Sequence, residues 1–321
     1  MDKEYDVVII GGGPTGLSAG LYAARARLST LVIEKAVSGG QIATTSLVEN
    51  YPGFPEGVDG YELGVRMEEQ AKKYGAEVLA AEVTGLDLED HKRIVRTTEG
   101  DFAALAVIIT SGAEHNKLGL PNEERLTGYG VSYCATCDGA FFKDEVVAVV
   151  GGGDAALDEG LFLTRYASKV IVIHRRDQLR ASKVLQERAL ATPNMEFIWD
   201  TVVEEIVGED KVEAVKLRNV KTDDQSTLEV AGVFVYIGLH PNTDFVKDML
   251  SLDRAGHIKV NLWMETGVPG VFAAGDARID SARQVVSAAG DGATAAIRAD
   301  HYITDLKLEL NKKAAVPVGR E

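Results

Sequence analysis

The chain has 321 residues, about twice a typical ~150-residue domain, with 45% hydrophobic and 26% charged residues. That balance excludes a disordered polymer, and the longest apolar run, residues 102–109, falls far short of the ~20 residues a membrane helix needs. Net charge is −15, from 34 basic and 49 acidic residues, so phosphate backbones and anionic lipid are repelled. Neither nucleic acid nor a membrane is an expected partner. The start, Met1-Asp2-Lys3-Glu4-Tyr5, has no basic or apolar signal region and enters a strand pattern at once, which predicts a cytoplasmic protein.

Residues 5–10 read as a buried strand. The turn Gly11-Gly12-Gly13-Pro14-Thr15-Gly16 follows, then a helix over 17–26 and a strand over 30–33 that ends on Glu34. This is a βαβ unit with a glycine-rich first turn. Strands are expected at 81–88, 93–98 and 104–110, before an irregular stretch at 112–121. The unit then returns: a strand over 145–150, the turn Gly151-Gly152-Gly153-Asp154-Ala155-Ala156, a helix over 157–166, and a strand over 169–173 that ends on His174-Arg175-Arg176. Laid without a gap, residues 5–35 and 145–175 share ten identities in 31 pairs, which marks an internal duplication. Further strands are expected at 195–199, 202–207, 212–220 and 232–237, and a second irregular stretch covers 238–245. A short strand in 270–276 and a helix over 285–305 close the pattern, with a frayed tail from Lys307.

The expected fold is α/β, with two Rossmann-like nucleotide-binding domains. The NADPH domain is inserted into a discontinuous FAD domain, giving boundaries at 1–115, 116–244 and 245–321. In the first turn Gly11 permits the tight bend, Gly13 lets backbone approach a pyrophosphate, and Gly16 lets helix and strand pack closely. Glu34, 18 residues after Gly16, can accept hydrogen bonds from an unphosphorylated ribose, as FAD presents. The second turn has Gly151, Gly153 and Ala156, but His174 stands where Glu34 would. Arg175, Arg176 and Arg180 follow, and guanidinium groups suit the 2′-phosphate of NADPH.

Both cysteines of the chain lie in Cys134-Ala135-Thr136-Cys137. A zinc site would need a second ligand pair. A structural disulfide here would close a tiny loop and gain little from chain entropy. A redox dithiol needs a neighbour that moves protons, and Asp138 follows at once.

These motifs resemble the low-molecular-weight bacterial thioredoxin reductases, flavin-dependent pyridine-nucleotide disulfide oxidoreductases. The resemblance covers roughly residues 5–302. It rests on the two glycine turns, Gly39-Gly40-Gln41-Ile42, Glu49-Asn50-Tyr51-Pro52-Gly53, Cys134 to Gly139, His174 to Asp177 with Arg180-Ala181, Gly275-Asp276, and Arg283 to Val286. It implies FAD contacts from Gly12, Pro14, Thr15, Gly40, Gln41, Asn50, Val83, Gly112, Gly275, Asp276, Arg283, Gln284 and Val285. It also implies NADPH contacts from Asp154, Ala155, Ile237 and Gly238. Cys134 and Cys137 would be the redox pair, Asp138 the acid, thioredoxin the substrate, and a homodimer the assembly. Phe141 and Phe142 would offer thioredoxin apolar contact, and the inserted domain would rotate between half-reactions. Departures are Ala155 for Ser or Thr, Leu179 for Phe, and Asn116 for Arg. A flavoprotein with another electron donor or thiol substrate, and a non-catalytic flavin sensor, are the competing functions.

Overall fold

The computed structural model describes residues 3–44, 47–48 and 50–315. Met1, Asp2, Glu49 and the tail past Ala315 lie outside the described residues. The chain divides into two compact units, Met1–Glu114 with His240–Glu321, and His115–Leu239. The second crossing thus falls inside the expected linker at 238–245.

The first unit opens with β1 (Lys3–Ile10), α1 (Pro14–Arg25), β2 (Thr30–Glu34), α2 (Gly60–Lys73) and β3 (Glu77–Ala80). It continues through β4 (Val83–Glu89), β5 (Lys92–Thr97), β6 (Gly100–Ile109) and β7 (Ala113–His115). Val7, Val8 and Ile9 are wholly buried, as a central parallel strand covered on both faces requires. Strand β1 lies between β2 and β6, parallel to both. Helix α1 begins at Pro14, three residues before the expected start, because proline at the first helical position has its φ preset and needs no N–H partner.

The second unit holds β8 (Val131–Ser132), α3 (Ala135–Asp138), β9 (Val146–Gly151), α4 (Asp154–Leu163), β10 (Lys169–Ile173) and α5 (Lys183–Ala191). Strands β11 (Met195–Ile198), β12 (Thr201–Val207), β13 (Ala214–Asn219), β14 (Gln225–Glu229) and β15 (Gly232–Tyr236) follow. Five of these strands form a sheet in the order β11-β10-β9-β15-β8, while β12, β13 and β14 form a separate sheet. The five pair in parallel throughout, and β13 runs antiparallel to both of its neighbours.

The chain returns through β16 (Leu239–Pro241), β17 (Val271–Ala273) and α6 (Val285–Ala315). Strand β6 pairs with β1 along one edge; along the other its first half pairs antiparallel with β5, and Val107–Ile109 pair in parallel with β17. The return segment therefore completes the sheet beside the glycine turn. Helix α6 approaches α1 closely through small residues, since a Cβ on Gly292 would stand 2.0 Å from the Thr15 carbonyl oxygen. Ser18 Oγ donates to the Ala289 carbonyl at 2.7 Å. Arg278 pairs with Asp291 through Nε at 2.7 Å and Nη2 at 3.0 Å, and Asp291 also accepts the Gly275 N–H at 3.1 Å. Losing either partner would leave a largely buried charge unmatched.

Among the elements not legible as pattern are α2, β3, β14 and α5. Helix α2 buries Gly60, Leu63, Gly64 and Ala71, so its fully buried face is mostly small residues in a helix rich in charged ones. Strand β3 is four residues of mixed exposure, and β14 is an exposed polar edge. Helix α5 buries only Ala189 fully. The expectation of fraying from Lys307 is corrected: α6 continues to Ala315, and Lys307 Nζ bonds Asp6 Oδ1 at 2.6 Å.

Candidate active site

In the first unit the β1–α1 turn forms a cradle with one tight side and one open side. Gly11 has φ of +111°, a region that L side chains rarely adopt. A Cβ on Gly16 would stand 1.8 Å from the Gly11 carbonyl oxygen, so only glycine fits where α1 leaves the turn. Gly13 faces the other way: a Cβ there would meet nothing nearer than Gly40 Cα at 3.9 Å. Its backbone is therefore open to a phosphate at the helix N-terminus.

Several residues expected to contact FAD lie against this turn, and others are tied to one another. Glu34 accepts the N–H of Gly12 at 2.6 Å and of Ala36 at 2.9 Å, which fixes its carboxylate at the end of β2. Gly39 N–H bonds the Gly12 carbonyl at 2.8 Å, which sets Gly40 against Gly13. Gln41 Nε2 bonds the Ala113 carbonyl, one residue past Gly112. Asn50 Nδ2 donates to Gln284 Oε1 at 3.0 Å, bringing together two residues 234 apart in sequence. A Cβ on Gly275 would touch Thr15 Oγ1 at 2.3 Å, and Asp276 accepts from Ser281 Oγ at 2.6 Å. Arg283 N–H bonds Ser281 Oγ at 3.2 Å, two residues before Val285 opens α6. Val83 packs on the core two residues past Ala81, whose N–H bonds the Glu34 carbonyl at 3.0 Å.

The second unit repeats the plan. A Cβ on Gly151 would stand 2.4 Å from the Tyr236 carbonyl oxygen and 2.8 Å from Ala156 Cβ, while one on Gly153 would meet nothing within 4 Å. Ile237 and Gly238 leave β15 at the same end of the sheet, next to that Tyr236 contact. The strap after β10 wraps the turn: Arg180 N–H bonds the Gly152 carbonyl at 2.7 Å, and Asp154 Oδ1 accepts the Ser182 N–H at 2.7 Å. His174 has a different place from the arginines. It is 4% exposed, bonds the Gln178 carbonyl at 3.1 Å, and its ring fills the space a Gly152 side chain would need. Burial and the cations of Arg180 and Arg176 push its pKa down, so it supports the turn as a neutral ring. Arg175, Arg176 and Arg180 are exposed and form no ion pair among the described residues. Ala155 opens toward solvent beside Asp154 at the start of α4.

The dithiol lies in this unit. Cys134 and Cys137 are disulfide-bonded with Cα atoms 5.3 Å apart, Cys134 at the N-cap of the single turn α3 and Cys137 within it. Asp138 ends that turn and accepts from Ser132 Oγ at 2.6 Å, and Cys134 N–H bonds the same Ser132 Oγ at 3.1 Å. Burial raises the Asp138 pKa against the opposing pull of the Ser132 hydroxyl. Phe141 is 53% exposed, but Phe142 corrects the expected apolar pair. It is half-buried, packing edge-on to Phe234 at 5.2 Å and under Gly232 against the core. Ser132, Tyr236 and Glu159 were missed: Ser132 stands two residues before Cys134 with no motif to mark it, and Tyr236 and Glu159 reach the cysteine turn only through the fold.

Both cradles fit dinucleotides: each has an open glycine at a helix start, and they differ in the charge presented to the ribose. A family model described as pyridine nucleotide-disulphide oxidoreductase matches residues 5–292. The chain belongs to this family. The thioredoxin reductase of Streptomyces coelicolor is 48% identical over 312 residues, covering 96% of this chain and 97% of that protein. That of Bacillus subtilis is 47% identical over 307 residues, 95% of this chain and 97% of the relative. The crystal structure of thioredoxin reductase from Streptococcus pyogenes matches with a TM-score of 0.90 and 45% identity, over 95% of this chain and all of that one.

Proposed function

We propose that this chain is an NADPH-dependent thioredoxin-disulfide reductase carrying FAD, in which Cys134 and Cys137 are the exchanging pair. The observation that carries the reading is a disulfide within one helical turn beside a raised-pKa carboxyl, in a chain with two unlike dinucleotide cradles. FAD is held by the first unit at the Gly11–Gly16 turn and Glu34, and NADPH by the second at Gly151–Ala156 with Arg175, Arg176 and Arg180. When bound, FAD supplies the relay of an electron pair from the NADPH hydride to a disulfide. The protein's own residues do the rest. Reduction breaks the Cys134–Cys137 bond and releases a thiolate, to which Asp138 gives its proton. One cysteine, as thiolate, then attacks the thioredoxin disulfide, and the other resolves the mixed disulfide, releasing dithiol thioredoxin and restoring the Cys134–Cys137 bond. A cysteine pair turned to the flavin cannot also face a protein disulfide. The reading therefore includes rotation of the NADPH domain about the two crossings.

Among the described residues no helix is long and apolar enough to cross a membrane. A cytoplasmic homodimer is part of this proposal. The deciding assay supplies NADPH or NADH with thioredoxin and a chromogenic disulfide. Thioredoxin-dependent turnover with NADPH well below the NADH concentration needed is expected. Flavin reduction without thioredoxin turnover would leave a flavoprotein of another substrate.

Asp138→Asn is expected to slow turnover about tenfold. General acids contribute typically 10²–10⁴-fold, but a thiolate is already a tolerable leaving group, so the effect falls below that range. The parent's rate should fall as pH rises through the raised Asp138 pKa, where the carboxyl loses its proton, and the Asn variant should lack that limb. Full-speed turnover by the variant removes this carboxyl from the mechanism.

A further inference from the structure

Helix α4 sets against the dithiol turn a second carboxyl that the exchange chemistry above does not use. Glu159 faces the backbone N–H groups of Ala135 and Thr136, the two residues between the cysteines, and the Tyr236 hydroxyl. Tyr236 Oη accepts the Ala135 N–H at 2.7 Å, so β15, α4 and α3 meet at one point beneath the disulfide. Glu159 Oε2 is buried with no hydrogen-bond partner among the described residues. A carboxylate oxygen in that position is costly to ionise, and burial, then the neighbouring Asp158, push the Glu159 pKa up.

We propose that Glu159, working with Tyr236, is a positioning residue that ties the charge of the Cys134–Cys137 pair to the protonation of a carboxyl group. The inference rests on the reading of that pair as the redox dithiol. Two-electron reduction breaks the S–S bond and yields two sulfurs, which take up two protons in full. While one sulfur remains a thiolate, its negative charge draws a solvent proton onto Glu159. An ionised Glu159 conversely opposes thiolate formation, so it holds the pair toward the disulfide. Protonation at lower pH removes that bias. The other ionisable groups around Glu159 are Asp158 on α4, Tyr236 from β15 and, acting on Tyr236, Asp138 of α3. Of the remaining elements packed on α4, β9 has no ionisable residue, Lys169 of β10 is paired with Glu196, and α5 carries Lys183, Glu187 and Arg188.

The test equilibrates parent, Glu159→Gln and Tyr236→Phe holoenzymes in dithiothreitol redox buffers from pH 5 to 9. The reaction is stopped with acid, and alkylated thiols are counted by mass. At the alkaline end Glu159→Gln should favour the dithiol about tenfold more than the parent, about 30 mV for a two-electron couple. The difference should shrink to less than twofold at the acid end, where the parent's carboxyl is protonated. Tyr236→Phe keeps the charge but removes a hydrogen-bond donor from the carboxyl, so its inflection should move to higher pH than the parent's. A shift that is equal at every pH would be a structural effect and overturns the proposal, as does no shift in Glu159→Gln. If Glu159→Gln does not fold, a Tyr236→Phe curve that superimposes on the parent's overturns it. The titration uses neither thioredoxin nor NADPH. A pair that titrates this way yet never reduces thioredoxin sinks the functional reading alone.

Discussion

Replacing Cys134 or Cys137 by Ser is expected to abolish thioredoxin reduction, with activity at background, while FAD stays bound and NADPH still bleaches its absorbance. The residues that form the two cradles owe nothing to the sulfur atoms. The Gly11–Gly16 turn is shaped by its own backbone and by Glu34, and the Gly151–Ala156 turn by Tyr236, His174 and the strap through Arg180. The disulfide spans only three positions. By the chain-entropy argument such a small loop contributes about 2 kcal/mol or less, and Ser replaces sulfur with an atom of similar place. Ser132 still holds the turn through the Cys134 N–H. A single remaining cysteine, however, can form a mixed disulfide but cannot resolve it. Absorbance titration with NADPH, followed by the thioredoxin assay on the same sample, separates the two half-reactions. If both Ser variants lost flavin reduction, the cysteines would serve the fold and the exchange mechanism would be wrong.

The glycine turns were legible in the sequence because they are local. A strand, a turn with glycine at fixed offsets and a helix all lie within about 30 consecutive residues, and the identities between 5–35 and 145–175 repeat that local order. The dithiol was legible for the same reason, as was Asp138 next to it. What the sequence could not show are contacts made only by the closed fold. Glu159 lies 22 residues after Cys137 in an ordinary helical stretch, and Tyr236 ends a strand that reads as core. Nothing in either segment points at the cysteines until β15 and α4 pack against α3. Phe142 shows the converse limit: next to exposed Phe141, it reads as half of a surface pair until Gly232 leaves room for its ring. Helix α2 escaped because its buried face is mostly small, Gly60, Gly64 and Ala71 beside Leu63, in a stretch otherwise dominated by charged and polar residues.

Arg175→Ala combined with Arg176→Ala is expected to raise KM for NADPH by roughly 100-fold and to leave NADH within about threefold. Charge-assisted hydrogen bonds contribute about 1.5–3 kcal/mol each. Two lost contacts therefore amount to at least ~3 kcal/mol, more than a hundredfold in affinity at 1.4 kcal/mol per tenfold. The lower end is the right expectation, because both guanidinium groups are exposed and screened by solvent. The surroundings leave these cations for a ligand even though the chain carries a net charge of −15. The carboxylate next in sequence, Asp177, is held by Lys221 Nζ at 3.0 Å, and the same ammonium takes Asp200 at 2.9 Å. Thus the acidic neighbours are turned onto one lysine, and the arginines stand free of them at the end of β10. NADH lacks the 2′-phosphate, so it has no group for these side chains to recognise, and its binding through the Gly153 side of the turn should survive. His174→Ala supplies the contrast. That ring fills the space beside Gly152, so its loss should weaken NADPH and NADH together by loosening the turn itself. Steady-state KM values for both nucleotides, measured on the two variants and the parent, give the selectivity directly. An unchanged KM for NADPH in the double variant would mean that the arginines face solvent only and that the second cradle takes its nucleotide without reading the 2′-phosphate.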